Sequence, residues 1–453
     1  MVVHTRSRRL FRAAKAVVLI WIGSIAGGIF GFLVQVILAR SLSAADYGAF
    51  SSAFATVNLL APLCGFGIGS LWLRIFAQYG PTAVEWIRPS YRFCGISTTL
   101  TLVALALWGS SKLNNSTETL LLLSLSPLLL WQLVIGLVSA KLQLEARYYL
   151  FTYWQVSQHF FRFLGVSIFS AAGIISLRAV SALYATLALV TFLFSFRHLR
   201  ALLTADVSSS LSTRSTYEDS PPVRLRDVWN NAWPYGVAGV FYLIYFQSNI
   251  ITINYIRGPL DAGIYNIAFT ILSALYLFPS AIYQKFLLPT LHRWATHDQS
   301  KLIDVCKVGG FIMLIIGAAA GILLFSFRHQ LINSIFGEKY LSVLPALSVL
   351  CACVPIRFYA SAIGSTMATQ SHMRAKVKYM GYTAATNVVL NVVLIQFYGL
   401  IGAALSTVLS ELMLLLFYRY YLKAHVFASG EWENWKWNEF LQRRDIKNAQ
   451  SKC

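Results

Sequence analysis

Acidic side chains are scarce in this 453-residue chain: 17 Asp and Glu stand against 37 Lys and Arg, and charged residues of both signs make up 12%. Soluble domains carry roughly one-quarter charged residues, so an ordinary water-facing surface is excluded. Cysteine offers no disulfide framework. Cys64, Cys94, Cys351 and Cys353 lie in apolar runs, Cys306 sits in a Lys-containing loop and Cys453 is terminal. Cys351 and Cys353 are two apart, so a helix points them to different faces, and buried free thiols that behave as small hydrophobes are expected. No zinc spacing, phosphate-cradling glycine loop or nucleophile elbow appears. His292 and His297 in "LHRWATHD" read as solvated loop residues.

What is abundant is apolar sequence: 57% hydrophobic residues and a mean hydropathy of +0.61. The runs are long enough to cross about 30 Å of hydrocarbon as helices, and they lack the ~10-residue alternation of an outer-membrane barrel. In lipid a helix satisfies its own backbone, so the expected fold is an all-α integral membrane protein. Twelve spans emerge: 16–39, 49–73, 91–109, 119–140, 153–175 and 179–196, then 232–255, 262–282, 308–327, 341–366, 379–398 and 400–421. The net charge of +20 lies between these runs and not along one stripe, which argues against nucleic acid. The start "RSRRLFRAAK" resembles a signal n-region, but the run after it is longer than a typical h-region, so it reads as an uncleaved first helix.

An even number of spans puts both termini on one side. On the other side lie only Arg40, Lys112, Arg178, Arg257, Arg328 and Lys339, and within spans Arg162 and Arg357; every other Lys and Arg falls on the side of the termini. Cytoplasmic segments are enriched in Lys and Arg, so both termini are expected in the cytoplasm, in a bacterial inner membrane. The expected division is a six-helix bundle over 1–200, a cytoplasmic linker over 201–228, a second six-helix bundle over 229–423 and a tail over 424–453. The linker sequence "TADVSSSLSTRSTYEDSPPVRLRD" (204–227) has a disordered composition. In the tail, "GEWENWKWNEFLQRR" puts Trp432, Trp435 and Phe440 near one helical face, which fits an interfacial helix or a basic tail.

A nonapeptide occurs twice. "DYGAFSSAF" at 46–54 returns as "DAGIYNIAF" at 261–269, each copy after the first helix of a six-helix set and preceded by an arginine, Arg40 or Arg257. The two sets thus enter the bilayer in the same direction, as parallel repeats about a pseudo-twofold axis along the membrane normal. Transporters are commonly built so, with the substrate path between the halves. Asp46 and Asp261 are expected to cap the helices that follow them.

The stretches "ILARSLSAADYGAFSSAFATVNLLAPLCGFGIGSLWLRIFA", "IFGEKYLSVLPALSVL" and "NVVLNVVLIQFYGLIGAALSTVLSELMLLL" resemble the Wzx-type oligosaccharide flippases. These belong to the multidrug/oligosaccharidyl-lipid/polysaccharide exporter superfamily, with the multidrug (MATE) exporters and lipid II flippases. The resemblance spans nearly the whole chain, although the first half reads "SLRAVSAL" where the second has "GLIGAAL". It implies a MATE-like fold, a central cationic cavity open alternately to each side, and no enzyme. The implied cargo is a polyprenyl-diphosphate-linked oligosaccharide moved from the cytoplasmic to the periplasmic leaflet for O-antigen, capsule or exopolysaccharide. The implied partners are that cargo, membrane lipids and other polysaccharide assembly proteins, with no cofactor or metal.

An ionised side chain inside a span costs ~2.5–3.5 kcal/mol on insertion scales and needs a reason. Arg162 shares a polar stripe with Gln155 and Gln158 or His159, as in a cavity wall, and Arg357 aligns with Ser361 and Gly364 or Ser365. A guanidinium keeps its charge and grips phosphate bidentately, so both suit a diphosphate; satisfying a carbonyl or snorkelling is the alternative. Arg40, Arg74 and Arg257 near span ends fit substrate, topology or lipid head groups. Glu411 fits either ion coupling or pairing with an arginine. Neutral candidates are Asn58 in the stripe Ser51, Ala55, Asn58, Pro62, Gly65, Gly69, and Tyr242 and Asn249 in the stripe Tyr242, Tyr245, Asn249, Thr252. A cation exporter would need embedded carboxylates, and a polymerase or ligase a sizeable outer loop; two embedded arginines against one acid favour an anionic cargo.

Overall fold

The computed structural model describes residues 2–110, 116–203, 223–287, 290–291, 294, 299–367, 372–427 and 432. Among these residues every regular element is helical. The first half contains α1 (Val2–Ser41), α2 (Ala44–Gly65), α3 (Ile68–Tyr79), α4 (Ile87–Ser110), α5 (Ser116–Leu125), α6 (Pro127–Leu144), α7 (Tyr148–Ala171) and α8 (Leu177–Leu203). The second contains α9 (Leu225–Arg257), α10 (Pro259–Ser280), α11 (Gly310–Ile335), α12 (Leu344–Leu350), α13 (Cys353–Thr366) and α14 (Met373–Tyr421).

Among the described residues nine stretches are long and apolar enough to cross a bilayer, ten if α12 and α13, bent by 51°, form one crossing. The stretch 373–426 has 54 residues; a straight helix of that length would reach about 80 Å. It folds back at Gly399, whose φ of 57° and ψ of −132° break α14 into two arms. That φ lies where glycine is favoured, and the arms close tightly enough that Asn387 Nδ2 donates to Ser410 Oγ across them at 3.0 Å. α7, which carries Gln155, Gln158, His159 and Arg162, is not among these stretches; counting its 24 residues and the two arms of α14 separately gives the twelve helices expected from the sequence. α2 and α3 form one crossing broken after Pro62, where Phe66 and Gly67 take φ of 41° and 80°. Large apolar side chains such as Leu193, Phe194, Ile322 and Phe397 are exposed on the outside, which in lipid is no penalty.

The linker assigned to 204–227 falls mostly outside the described residues, as do Lys112, His292, His297, Trp435, Phe440 and Cys453. α9 already starts at Leu225, with the Asp227 carboxylate accepting from the Arg224 backbone N–H at 2.9 Å. Trp432 packs on Phe427 and under the Lys307 ammonium. Cys64, Cys94, Cys306, Cys351 and Cys353 are free and buried. Cys306 is not in a loop but in a π turn (Val305–Gly309).

The two copies of the repeat touch each other. A Cβ on Gly48 would lie 1.7 Å from the Pro259 carbonyl oxygen, and one on Gly263 2.2 Å from that of Ala44, so α2 and α10 meet backbone to backbone. Asn266 in the second copy donates to Tyr47 Oη (2.7 Å) and Ser51 Oγ (2.9 Å) in the first. Around this seam, on what we call the repeat face, Lys339 and Tyr340 donate to the last carbonyls of α1, Leu42 (2.6 Å) and Ala39 (2.9 Å). Neither repeat aspartate is an N-cap. α2 starts at Ala44 and is capped by Ser43, which accepts from the Asp46 N–H at 3.0 Å; α10 starts at Pro259 after Gly258. Both helices begin earlier than expected, which moves each aspartate into the first turn, where it still faces the positive end of the helix dipole.

Candidate functional site

The embedded charges of the second half meet in one place. α13 carries Arg357 and the second arm of α14 carries Glu411; Nη1 to Oε1 is 3.3 Å, with Glu411 buried. Of the two fates open to Glu411, it takes the ion pair. Its Oε2 is buried with no hydrogen-bond partner. The Arg357 guanidinium also lies over the rings of Phe246 (5.1 Å) and Tyr276 (5.6 Å).

Beside this pair is a cavity of about 420 Å³ lined by Tyr242, Tyr245, Arg357, Ser361, Lys376 and Tyr418, among others. It is walled by α9, α13 and both arms of α14, so it belongs to the second bundle. Lys376 donates to the Gly364 carbonyl at 3.0 Å and has no ion pair among the described residues. Two cations therefore line this cavity, and Glu411 is not among its described lining residues. The sequence reading missed Lys376 because it precedes the apolar run at 379 and counts as a loop charge. The signal was the helical spacing of Met373, Lys376, Met380 and Thr383, all of which line the cavity.

Arg162 has a different setting. Its guanidinium lies 3.6 Å from the Trp131 ring centroid, with Tyr184 at 5.0 Å and Phe54 at 5.7 Å, and its Nε is buried without a partner. The stripe expected on α7 is split: Gln155 and His159 line a cavity of about 130 Å³ against α1, while Arg162 turns toward α2, α6 and α8. Arg40 donates from Nε to the Ile335 carbonyl at 2.7 Å and from Nη2 to that of Ser334, so it caps α11 of the other half on the repeat face. Arg257 pairs with Asp261 at 3.3 Å beside the Gly399 turn. Arg74 is exposed on α3.

Asn249 lies in a buried polar cluster between α9 and α14. It donates to Thr407 Oγ1 (2.5 Å) and Tyr265 Oη (3.1 Å) and accepts from Asn391 Nδ2 (2.5 Å), and the cluster continues through Ser248, Asn387 and Ser406. Asn58 accepts from Gln132 Nε2 at 3.2 Å at the wall of a cavity of about 460 Å³ on the first bundle.

Between the halves, enclosed by α1, α2, α9 and α10, is a chamber of about 230 Å³ lined by Gln35, Ser51, Gln247, Asn266, Thr270 and Ser273 together with apolar residues. Among the described residues no charged side chain lines it, so the cationic cavity, lined by Arg357 and Lys376, lies in the second bundle and not on the central axis. Leu277 forms its floor, seated where a Cβ on Gly28 would come within 2.3 Å of Leu277 Cδ1, and also lines the smaller cavity below.

The chain matches the family model described as "Polysaccharide biosynthesis protein" over residues 13–294. It belongs to that family. Two curated archaeal relatives are similar over part of their length. Uncharacterized membrane protein MJ1068 of Methanocaldococcus jannaschii is 31% identical over 26% of this chain and 24% of its own length. The probable low-salt glycan biosynthesis flippase Agl15 of Haloferax volcanii is 22% identical over 39% of this chain and 37% of its own. The chain thus matches between about a quarter and two-fifths of these relatives. Among solved structures, the lipid II flippase MurJ in an inward closed conformation superposes with a TM-score of 0.67 at 13% identity, covering 90% of this chain and 87% of that one. The MATE multidrug transporter DinF-BH in complex with R6G gives 0.65 at 14%, covering 91% and 95%. A Pyrococcus furiosus transporter of the same superfamily, described as having a binding pocket of reverse polarity, gives 0.59 at 14%, covering 91% and 96%. This member of the polysaccharide biosynthesis family therefore has the fold of the MurJ and MATE transporters. It is a multi-pass membrane protein.

Proposed function

We propose that this protein carries a polyprenyl-diphosphate-linked oligosaccharide across the cytoplasmic membrane, from the inner to the outer leaflet, by alternating access of bundles 1–200 and 229–423. Both termini, the linker 201–228 and the tail 424–453 are cytoplasmic in this reading, and the repeat face is outside. The observation that carries it is the second-bundle cavity, which Arg357 and Lys376 line with no carboxylate among its described lining residues. A diphosphate head group carries about two negative charges and accepts charge-assisted hydrogen bonds from such donors. The printed description of Agl15 as a glycan biosynthesis flippase supports the same cargo class.

A cation exporter would need a free embedded acid, whereas Glu411 is engaged by Arg357. For an anionic head group the membrane potential itself favours export, by ~2.3 kcal/mol per charge per 100 mV. In a deletion strain, loss of surface glycan with build-up of lipid-linked oligosaccharide in the inner leaflet supports the reading. Rescue by wild type but not by Arg357→Ala that still inserts ties it to the cavity. Unchanged glycan with new sensitivity to cationic drugs would overturn the cargo assignment.

A further inference from the structure

The cavity on the first bundle has the opposite character to that beside Arg357. Its volume of about 460 Å³ lies in the range of sites that hold small organic ligands, and no charged side chain lines it. Its polar side chains are the amides of Asn58, Gln132, Gln143 and Gln247, which project from α2, α6 and α9, and the hydroxyl of Ser70 on α3. Gly65, Gly67, Gly69 and Gly136 line it together with apolar side chains such as Phe66, Leu133 and Leu243. Gln132 and Gly136 stand one turn apart on the exposed face of α6, and a Cβ on Gly136 would meet nothing within 4 Å. Gln247 lines this cavity and the central chamber alike, so the two adjoin at one side chain.

From this we infer that the first-bundle cavity is a saccharide subsite, receiving uncharged sugar residues of the cargo while the second bundle holds the diphosphate. The inference rests on the proposed function. A carboxamide presents a donor and an acceptor side by side, which matches neighbouring sugar hydroxyls; its neutrality avoids desolvating a charge against a neutral ligand. The Asn58–Gln132 bond uses one donor and one acceptor and leaves an Asn58 amino group and a Gln132 carbonyl for the ligand. At Gly136, where a Cβ would meet nothing within 4 Å, the missing side chain lets the C–H face of a ring approach the main chain. The two bundles thus divide one amphipathic head group by charge, and Gln132 and Asn58 decide which sugars are accepted.

The test uses full-length protein in nanodiscs and two probes, titrated calorimetrically. One is the oligosaccharide released by mild acid from the source cell's lipid-linked pool; the other is farnesyl diphosphate. Gly136→Leu adds a side chain at a position where a Cβ meets nothing within 4 Å, and Gln132→Leu removes an amide. Each is expected to weaken the oligosaccharide about tenfold or more, as when a site built for hydrogen bonding loses a partner, and to leave farnesyl diphosphate binding unchanged. Unchanged oligosaccharide binding in both variants overturns the subsite and leaves the flippase reading standing. A wild type that binds farnesyl diphosphate but no oligosaccharide does the same, and one that binds neither probe overturns both.

Discussion

Gly48 and Gly263, equivalent positions of the two repeat copies, lie against each other across the interface between the halves, so close that neither has room for a methyl group. Overpacking a tight contact costs about 1–3 kcal/mol. Gly48→Ala is therefore expected to loosen the seam. The readout is the rate at which an impermeant maleimide labels Ser51→Cys, a chamber residue bonded to Asn266. Labelling from outside should accelerate by about five- to a hundredfold, against a low background from the buried native cysteines. An unchanged rate would show that the seam is not what closes the repeat face.

Removing one partner of the Arg357–Glu411 pair leaves the other charge buried, at a cost of about 3–5 kcal/mol. Glu411→Gln and Arg357→Met should each lower the thermal midpoint sharply, and the double variant should recover most of the loss. Additive losses would mean the pair is not coupled. Where Glu411→Gln is expressed at a temperature at which it folds, transport is expected to survive, because the potential drives an anionic head group without a coupling carboxylate. Loss of transport in folded protein would point to an ion-coupled cycle.

Lys376 is expected to contribute to head-group affinity through a charged hydrogen bond, about 1.5–3 kcal/mol. Lys376→Met should weaken farnesyl diphosphate binding by at least about tenfold, and Lys376→Arg should retain most of it. Equal binding by all three proteins would remove Lys376 from the site.

Arg162 has an aromatic cage but no ion pair among the described residues. Cation–π contacts return about 0.5–2 kcal/mol, less than the several kcal/mol that a desolvated charge costs. Arg162→Met should thus raise the thermal midpoint or leave it unchanged. A parallel fall in transport would mark the arginine as kept for function, and a fall in stability would mark it as structural.

Asn391 donates to Asn249, Ser248 and Asn387 inside the second bundle. Asn391→Val strands several buried partners, each worth about 1–3 kcal/mol when unsatisfied. A midpoint shift no larger than that of a surface variant such as Arg74→Ala would show that the cluster is not a structural tie.

The helices were legible because hydrocarbon thickness and backbone satisfaction leave a long apolar run few alternatives. Their true ends were not: α9 begins at Leu225, seven residues before the apolar run, and nothing in hydropathy marks where a helix leaves the lipid. The repeat revealed the duplication, but that its copies pack on each other follows from the axis between them, which no single copy encodes. Arg357 and Glu411, 54 positions apart, were both visible as embedded charges, and their pairing required the arms of α14. Lys376 stayed hidden because a lysine before an apolar run looks the same whether it faces water or a cavity. The stripe Ser51, Ala55, Asn58, Pro62, Gly65, Gly69 is split: its last four residues line the first-bundle cavity, whereas Ser51 lines the central chamber.

The backbone contact at Gly48 and Gly263 bears on electrical tightness as well as shape. A water molecule needs roughly 10–15 Å³ of free space, and a seam too narrow for a methyl group offers none there. No file of water can thread that contact, so protons and small ions find no wire through it while the halves are closed. The chamber beneath, at about 230 Å³, is below the usual size of a ligand site and cannot hold a bulky glycan in this arrangement. In the proposed cycle this contact has to part before cargo can pass, so leakage through it and passage are separated in time.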